Sequence, residues 1–153
     1  MEKLEVVGGK KLSGVLKISG SKNASLPILA ASLLSKKKIK LINLPQVKDI
    51  KTMLTLLESL GSRVKKIGKK TIIDNINQKK TEANYNIVRL MRGSFLVLGP
   101  LLAKFGKAKV SSPGGCSIGV RPIDIHLNAL TKLGVKIKIV DGYVIAKAPH
   151  GLK

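Results

Sequence analysis

VKDIKTMLTLLESLGSRVKKI (Val47–Ile67) and VRPIDIHLNALTKLGVKIKIV (Val120–Val140) carry one pattern twice. In the first copy Ile50, Met53, Leu54, Leu57 and Leu60 recur at helical spacing, so they share one face. Asp49 is placed to cap that helix and Gly61 to stop it. In the second copy Pro122 can open the helix, Ile123, Leu127, Leu130 and Leu133 form the stripe, and Gly134 closes it. Two short strands are expected after each helix: 63–67 with 71–74, and 135–140 with 143–147. Asp141-Gly142 between the second pair is a strong hairpin signal, because both turn positions require positive φ.

The repetition extends upstream. SLPILAASLL (Ser25–Leu34) aligns with SFLVLGPLLA (Ser94–Ala103), and KIKLI (Lys38–Ile42) aligns with KAKVS (Lys107–Ser111). The units fall at 21–75 and 86–148, each reading helix, strand, loop, helix, then two strands. The second is a few residues longer, and its excess falls in a loop around Gly114, Gly115 and Cys116. Helices that each need a sheet to cover them imply an α/β (α+β) architecture of repeated modules. Residues 1–20 lie outside the repeat and read as a hairpin, 2–7 with 14–19 around Gly8-Gly9. Residues 75–84 read as a linker. The chain stops at HGLK soon after the second unit, which reads as a truncation.

With 153 residues and 44% hydrophobic content, one ordinary core is affordable, and 3% aromatic makes it aliphatic. One cysteine excludes an internal disulfide and points to a reducing, cytoplasmic setting. The start, MEKLEVVGGKK, lacks the apolar run of a signal peptide, and Leu26–Leu34 is too short to span a bilayer. No membrane partner is expected. The net charge of +21 calls for anionic partners, yet its lysines are spread along the whole chain. Tyr85, Phe95, Phe105 and Tyr143 are too scattered for a base-stacking surface. Nucleic acid is therefore expected to bind only non-specifically.

Chemistry concentrates in SPGGCSIGVRPIDIH (Ser112–His126). A lone thiol is most often a small buried hydrophobe. Here Gly114, Gly115 and Gly119 leave Cys116 without bulky neighbours, and Arg121 follows at the mouth of a helix. A guanidinium and a helix N-terminus both favour thiolate, which makes a reactive cysteine.

GSKNASLPILAASLL, LMRGSFLVLGPLLA and PGGCSIGVRPIDIHL together resemble the UDP-N-acetylglucosamine 1-carboxyvinyltransferases of the enolpyruvyl transferase family, along essentially the whole chain. The shikimate-pathway enolpyruvyl transferase shares the repeat but lacks the cysteine loop, and has serine-type residues where this chain has Asn23. The resemblance implies an inside-out α/β barrel of two domains, each of three units. This chain would supply two units of the first domain (21–153), while residues 1–20 would belong with the absent second domain.

It also implies a reaction, the first committed step of peptidoglycan synthesis. The enolpyruvyl group of phosphoenolpyruvate passes to the 3-hydroxyl of UDP-N-acetylglucosamine and phosphate leaves, with no metal or cofactor. Cys116 matches the proton donor and the target of the epoxide antibiotic fosfomycin. Lys22, Asn23 and Arg121 match residues that hold phosphoenolpyruvate. Asn23, Arg92, Arg121, Pro122, Ile123, Asp124 and Ile125 match residues that meet the UDP-sugar. His126 reads as a supporting residue. The base, an aspartate, has no match here, so the chain alone is expected to be inactive and to need the second domain or a complementing chain. Two other classes are open: a non-catalytic remnant that binds a UDP-sugar or a partner chain, and a basic nucleic-acid-binding protein.

Overall fold

The computed structural model describes residues 3–112 and 123–153. Helix α1 (Lys22–Ala31) continues into a short 3₁₀ turn, Ser32–Leu34. Strand β1 (Ile39–Ile42), helix α2 (Lys48–Ser59) and the hairpin β2 (Arg63–Ile67) and β3 (Lys70–Asp74) complete the first unit. A connecting segment contains β4 (Glu82–Ala83) and one turn of helix, α3 (Tyr85–Val88). The second unit runs through a 3₁₀ turn, Arg92–Val97, then α4 (Leu98–Phe105), β5 (Lys107–Ser111) and α5 (Asp124–Lys132). It ends with β6 (Lys136–Val140) and β7 (Tyr143–Lys147).

The repeat is real at the level of hydrogen bonding. The first sheet has the order β1-β3-β2 and the second β4-β5-β7-β6, so the last strand of each unit sits between the two before it. Those pairings are antiparallel in both sheets, and only β4 adds to β5 in parallel. Asp141 and Gly142 take φ of 49° and 74°, as the turn joining β6 to β7 requires.

Every residue of the expected α2 stripe is buried, and so is Leu56 beside it. Leu29 and Leu33 of the first helix, Leu98, Leu101 and Leu102 of α4, and Ile73, Val110 and Val144 of the sheets share one aliphatic core with them. In α5 Leu130 is buried and Ile123 and Leu127 pack against the core, whereas Leu133 stays partly exposed.

Three expectations need correcting. Asp49 is not the cap of α2: Val47 holds that position and Asp49 lies in the first turn, where its carboxylate suits the helix dipole. Helix α5 starts at Asp124, and Pro122, expected to open it, lies outside the described residues. The region 75–84 is no loose linker, because Asn75 and Gln78 are buried and β4 pairs with β5. Residues 3–19 form no hairpin: they contain no strand, and Leu4, Val7, Leu12 and Val15 are almost fully exposed. Two strands alone bury too little to hold each other without a further layer, and nothing described here covers them.

Candidate functional site

Helix α1 begins beside a serine cap. Ser21 is extended and its Oγ accepts from the Ala24 N–H at 3.3 Å. Lys22 and Asn23 follow as the first two helical residues, both exposed, where free N–H groups and the helix dipole favour an anion. Lys22 Nζ meets Asp49 Oδ2 at 2.9 Å. The starts of α1 and α2 therefore lie at one end of the domain, joined by an ion pair that leaves the ammonium half exposed. An exposed pair of this kind contributes little stability, and an arriving phosphate can compete for the cation.

Arg92 opens the 3₁₀ turn of the second unit and is partly buried. The next residue, Gly93, packs on α1: a Cβ there would come within 3.0 Å of Leu26 Cδ1. The missing side chain lets the Arg92 turn approach the helix that carries Lys22 and Asn23. From the other side, the buried Phe95 ring meets the His126 imidazole edge-on at 5.5 Å and 78°. That contact docks the first turn of α5, with Asp124 and Ile125 exposed and Ile123 tucked toward the core.

Lys22, Asn23, Arg92, Ile123, Asp124 and Ile125 are thus tied through one hub, the turn Arg92–Val97. His126 is half-buried in this packing, and desolvation holds its imidazole below the ordinary histidine range. It is neutral near pH 7 and acts as a wedge between elements, consistent with a supporting role. Cys116, Arg121 and Pro122 lie outside the described residues. Asp49 is the site residue that sequence reasoning passed over. Its position in a first turn suggested a cap, and only the fold brings it to Lys22.

Among the described residues no group of three or more His, Cys, Asp or Glu is arranged to hold a metal ion. No helix among them is long and apolar enough to cross a membrane. The concavity bounded by Leu12–Leu16 lies wholly within the N-terminal arm, away from these residues.

A family profile described as EPSP synthase (3-phosphoshikimate 1-carboxyvinyltransferase) matches residues 6–152. The chain belongs to the EPSP synthase family. Within that family its similar relatives have a different specificity in their names. It is 67% identical over 152 residues to the UDP-N-acetylglucosamine 1-carboxyvinyltransferase of Pelagibacter ubique, covering 99% of this chain and 36% of that one. The enzyme of the same name from Campylobacter fetus is 55% identical over 153 residues, again with 36% of its length covered. The chain therefore spans about a third of the length of the curated relatives it matches.

Solved structures of the family agree on the fold. The enolpyruvyl transferase NikO of Streptomyces tendae superposes with a TM-score of 0.78 at 22% identity, over 95% of this chain and 32% of its own. The EPSP synthase of Acinetobacter baumannii gives 0.68 at 17% identity, over 92% and 33%. This is the enolpyruvyl transferase fold, α/β in class, represented here by two of its repeating modules.

Proposed function

We propose that this chain forms part of an enzyme that transfers the enolpyruvyl group of phosphoenolpyruvate to the 3-hydroxyl of UDP-N-acetylglucosamine. The observation that carries this reading is the joining of three segments at one end of the domain: the α1 start with Lys22, the Arg92 turn, and the α5 start with Asp124. These segments match the family's substrate-binding motifs, and the Pelagibacter relative, named for this activity, is 67% identical.

Lys22, at a helix start rich in free N–H groups, would hold the phosphate of phosphoenolpyruvate, with Arg121 giving a planar two-point grip. Asn23 would contact both substrates; Arg92, Pro122, Ile123, Asp124 and Ile125 would line the UDP-sugar. In the addition step, the sugar oxygen bonds to C2 of phosphoenolpyruvate while the double-bond electrons take a proton from Cys116 at C3. The hydroxyl proton passes to a base. In the elimination step a proton leaves C3, the double bond re-forms, and the C2–O bond to phosphate breaks. The base is assigned to the two thirds of the relatives' length that this chain does not span. Because positioning two substrates together supplies much of such a rate enhancement, the 153-residue chain alone should show negligible turnover. A single free thiol fits a reducing, cytoplasmic location.

The test is complementation. This chain is mixed with a separately produced segment covering the remaining length of the Pelagibacter relative, and phosphate release is followed with both substrates present. Recovered turnover that Cys116→Ser abolishes and Lys22→Ala weakens through a higher KM for phosphoenolpyruvate supports the proposal. A full-length protein whose Cys116→Ser variant turns over undiminished would overturn it. Specific UDP-N-acetylglucosamine binding with persistent silence would mark a non-catalytic remnant instead.

A further inference from the structure

The register of the second sheet gathers its lysines on one face. Lys107 of β5 lies opposite Lys147 of β7, and Lys147 lies opposite Lys136 of β6. One pleat along, Lys109 and Lys138 flank Ile145. Side chains alternate across a strand, so these five lysines point to one side while Ala108, Ala146, Val110 and Val144 turn into the core. At the far end of the same face stand Ser111, Tyr143 and Val140, the last 46% exposed. Three like charges directly opposite one another across three strands destabilise a sheet. Among the described residues no ion pair reaches Lys107, Lys136 or Lys147.

The matching face of the first sheet also carries cations, Lys40, Lys65, Lys70 and Arg63, but its row of three is compensated. Its equivalent row is Lys38, Asp74 and Arg63, with Asp74 in the middle and 3.8 Å from Lys38. The second unit puts Lys147 where the first has Asp74. Nearby anions are few: Glu82 is taken up by Lys109 at 2.9 Å, and Asp141 sits in the turn beyond Tyr143.

We infer that the lysine face of the β5-β7-β6 sheet is a docking surface for an anionic phospholipid bilayer. Three features favour a planar charged surface over a nucleic-acid strand. The cations form a two-dimensional array on an open sheet rather than a groove that tracks a backbone. All five are lysines, point charges without the planar fork of arginine that reads phosphates and bases at defined geometry. The one aromatic, Tyr143, has the Lys109 ammonium over its ring at 4.6 Å and so is not open for stacking. Tyr143 and Val140 beside lysines suit a headgroup boundary, where amphipathic rings and cations collect. The absence of a spanning helix does not bear on such peripheral contact. A second copy of the chain, carrying the same face, would be repelled. This inference is independent of the enolpyruvyl chemistry.

Sedimentation with vesicles tests it. The chain should partition to phosphatidylcholine vesicles containing 30% phosphatidylglycerol and not to pure phosphatidylcholine, with binding weakened by salt. Each lysine near an anionic surface changes the partition about fivefold. The triple variant Lys107→Gln, Lys136→Gln, Lys147→Gln should therefore bind roughly a hundredfold more weakly. A matched triple on the first sheet, Lys40→Gln, Lys65→Gln, Lys70→Gln, should lose much less. Circular dichroism confirms that both variants fold. Equal losses from the two triples would reduce the effect to overall charge and overturn the inference. So would an absence of vesicle binding, or a loss confined to binding of a polyuridine oligonucleotide.

Discussion

Replacing Asn75 by alanine should disconnect a joint that composition alone presents as a linker. Asn75 is 1% exposed at the end of β3. Its Nδ2 donates to the Ser32 carbonyl at 2.6 Å, and the Ser62 hydroxyl donates to its Oδ1 at 2.6 Å. Its backbone carbonyl accepts from Lys104 Nζ of the second unit at 3.5 Å, so this residue ties the turn after α1 to both the end of α2 and α4. Alanine removes the two side-chain bonds. The Ser32 carbonyl keeps a second donor, the Ser35 N–H at 3.0 Å, so that loss costs about 1 kcal/mol. The Ser62 hydroxyl, 5% exposed, is left without its acceptor, which costs about 1–3 kcal/mol.

The expected total is about 2–4 kcal/mol, or a fall in Tm of roughly 4–16 °C for a domain of this size. Urea unfolding followed by circular dichroism measures it, with Asn77→Ala at a neighbouring exposed position as the control. Because Ser62 and Asn75 are direct partners, the double variant Ser62→Ala/Asn75→Ala should cost less than the two single losses added together. A midpoint for Asn75→Ala no lower than that for Asn77→Ala, with strict additivity in the double variant, would refute the reasoning. It would mark 75–84 as a connector after all.

Gly93→Ala should cost about 1–3 kcal/mol, because its Cβ would press on Leu26 Cδ1 at 3.0 Å. Shortening that neighbour with Leu26→Val should recover part of the loss in the same urea assay. Stability should fall as pH drops below about 6.5, since the unfolded chain takes up a proton there more readily than the half-buried, depressed His126. Urea midpoints at pH 7.5 and 5.5 measure the slope, and His126→Phe, which keeps the ring contact with Phe95, should flatten it. Cys116 should be alkylated by iodoacetamide faster than free cysteine near neutral pH; slower labelling would count against an activated thiol.

The repeated modules were legible because the signal is periodic and doubled. A stripe such as Ile50, Met53, Leu54 and Leu57 states both the helix and its buried face, and Asp141-Gly142 states a turn through backbone conformations few other pairs adopt. What was not legible depends on long-range contacts. Asn75 looks like a polar loop residue until Ser32 and Ser62 are brought to it. Asp49 looks like a cap until α1 delivers Lys22. The hairpin expected at the N-terminus failed for the complementary reason. Alternating apolar residues such as Leu4 and Val6, or Leu16 and Ile18, make a strand only when a further layer is present to bury them.

The internal repeat also explains why the candidate site lies where it does. Aligning Ser25 with Ser94, both buried near the start of their helical segments, sets Asn23 against Arg92 and Leu26 against Phe95. Aligning Ile50 with Ile123 sets Asp49 against Pro122 and Lys51 against Asp124. Each unit therefore presents candidate site residues near the beginnings of its first and second helical segments, and the apolar residues that follow fix those beginnings in the core. A helix start is where backbone N–H groups lack partners, so two modules of this kind bring several anion-favouring ends together before any side chain is chosen. Divergence between the copies then needs few changes. Lysine and asparagine stand at one start and arginine at its counterpart, while beneath them Leu26 against Gly93 locks the two units together and Phe95 against His126 joins the two starts within the second unit. On this argument, moving a charge within the first turn should alter substrate binding with little effect on folding, whereas altering Leu26 or Phe95 should displace several site residues at once. Comparing Lys22→Ala with Phe95→Ala in the complemented enzyme, by KM and by urea midpoint, separates the two. Equal stability losses from both would show that the helix starts and their packing are not divided in this way.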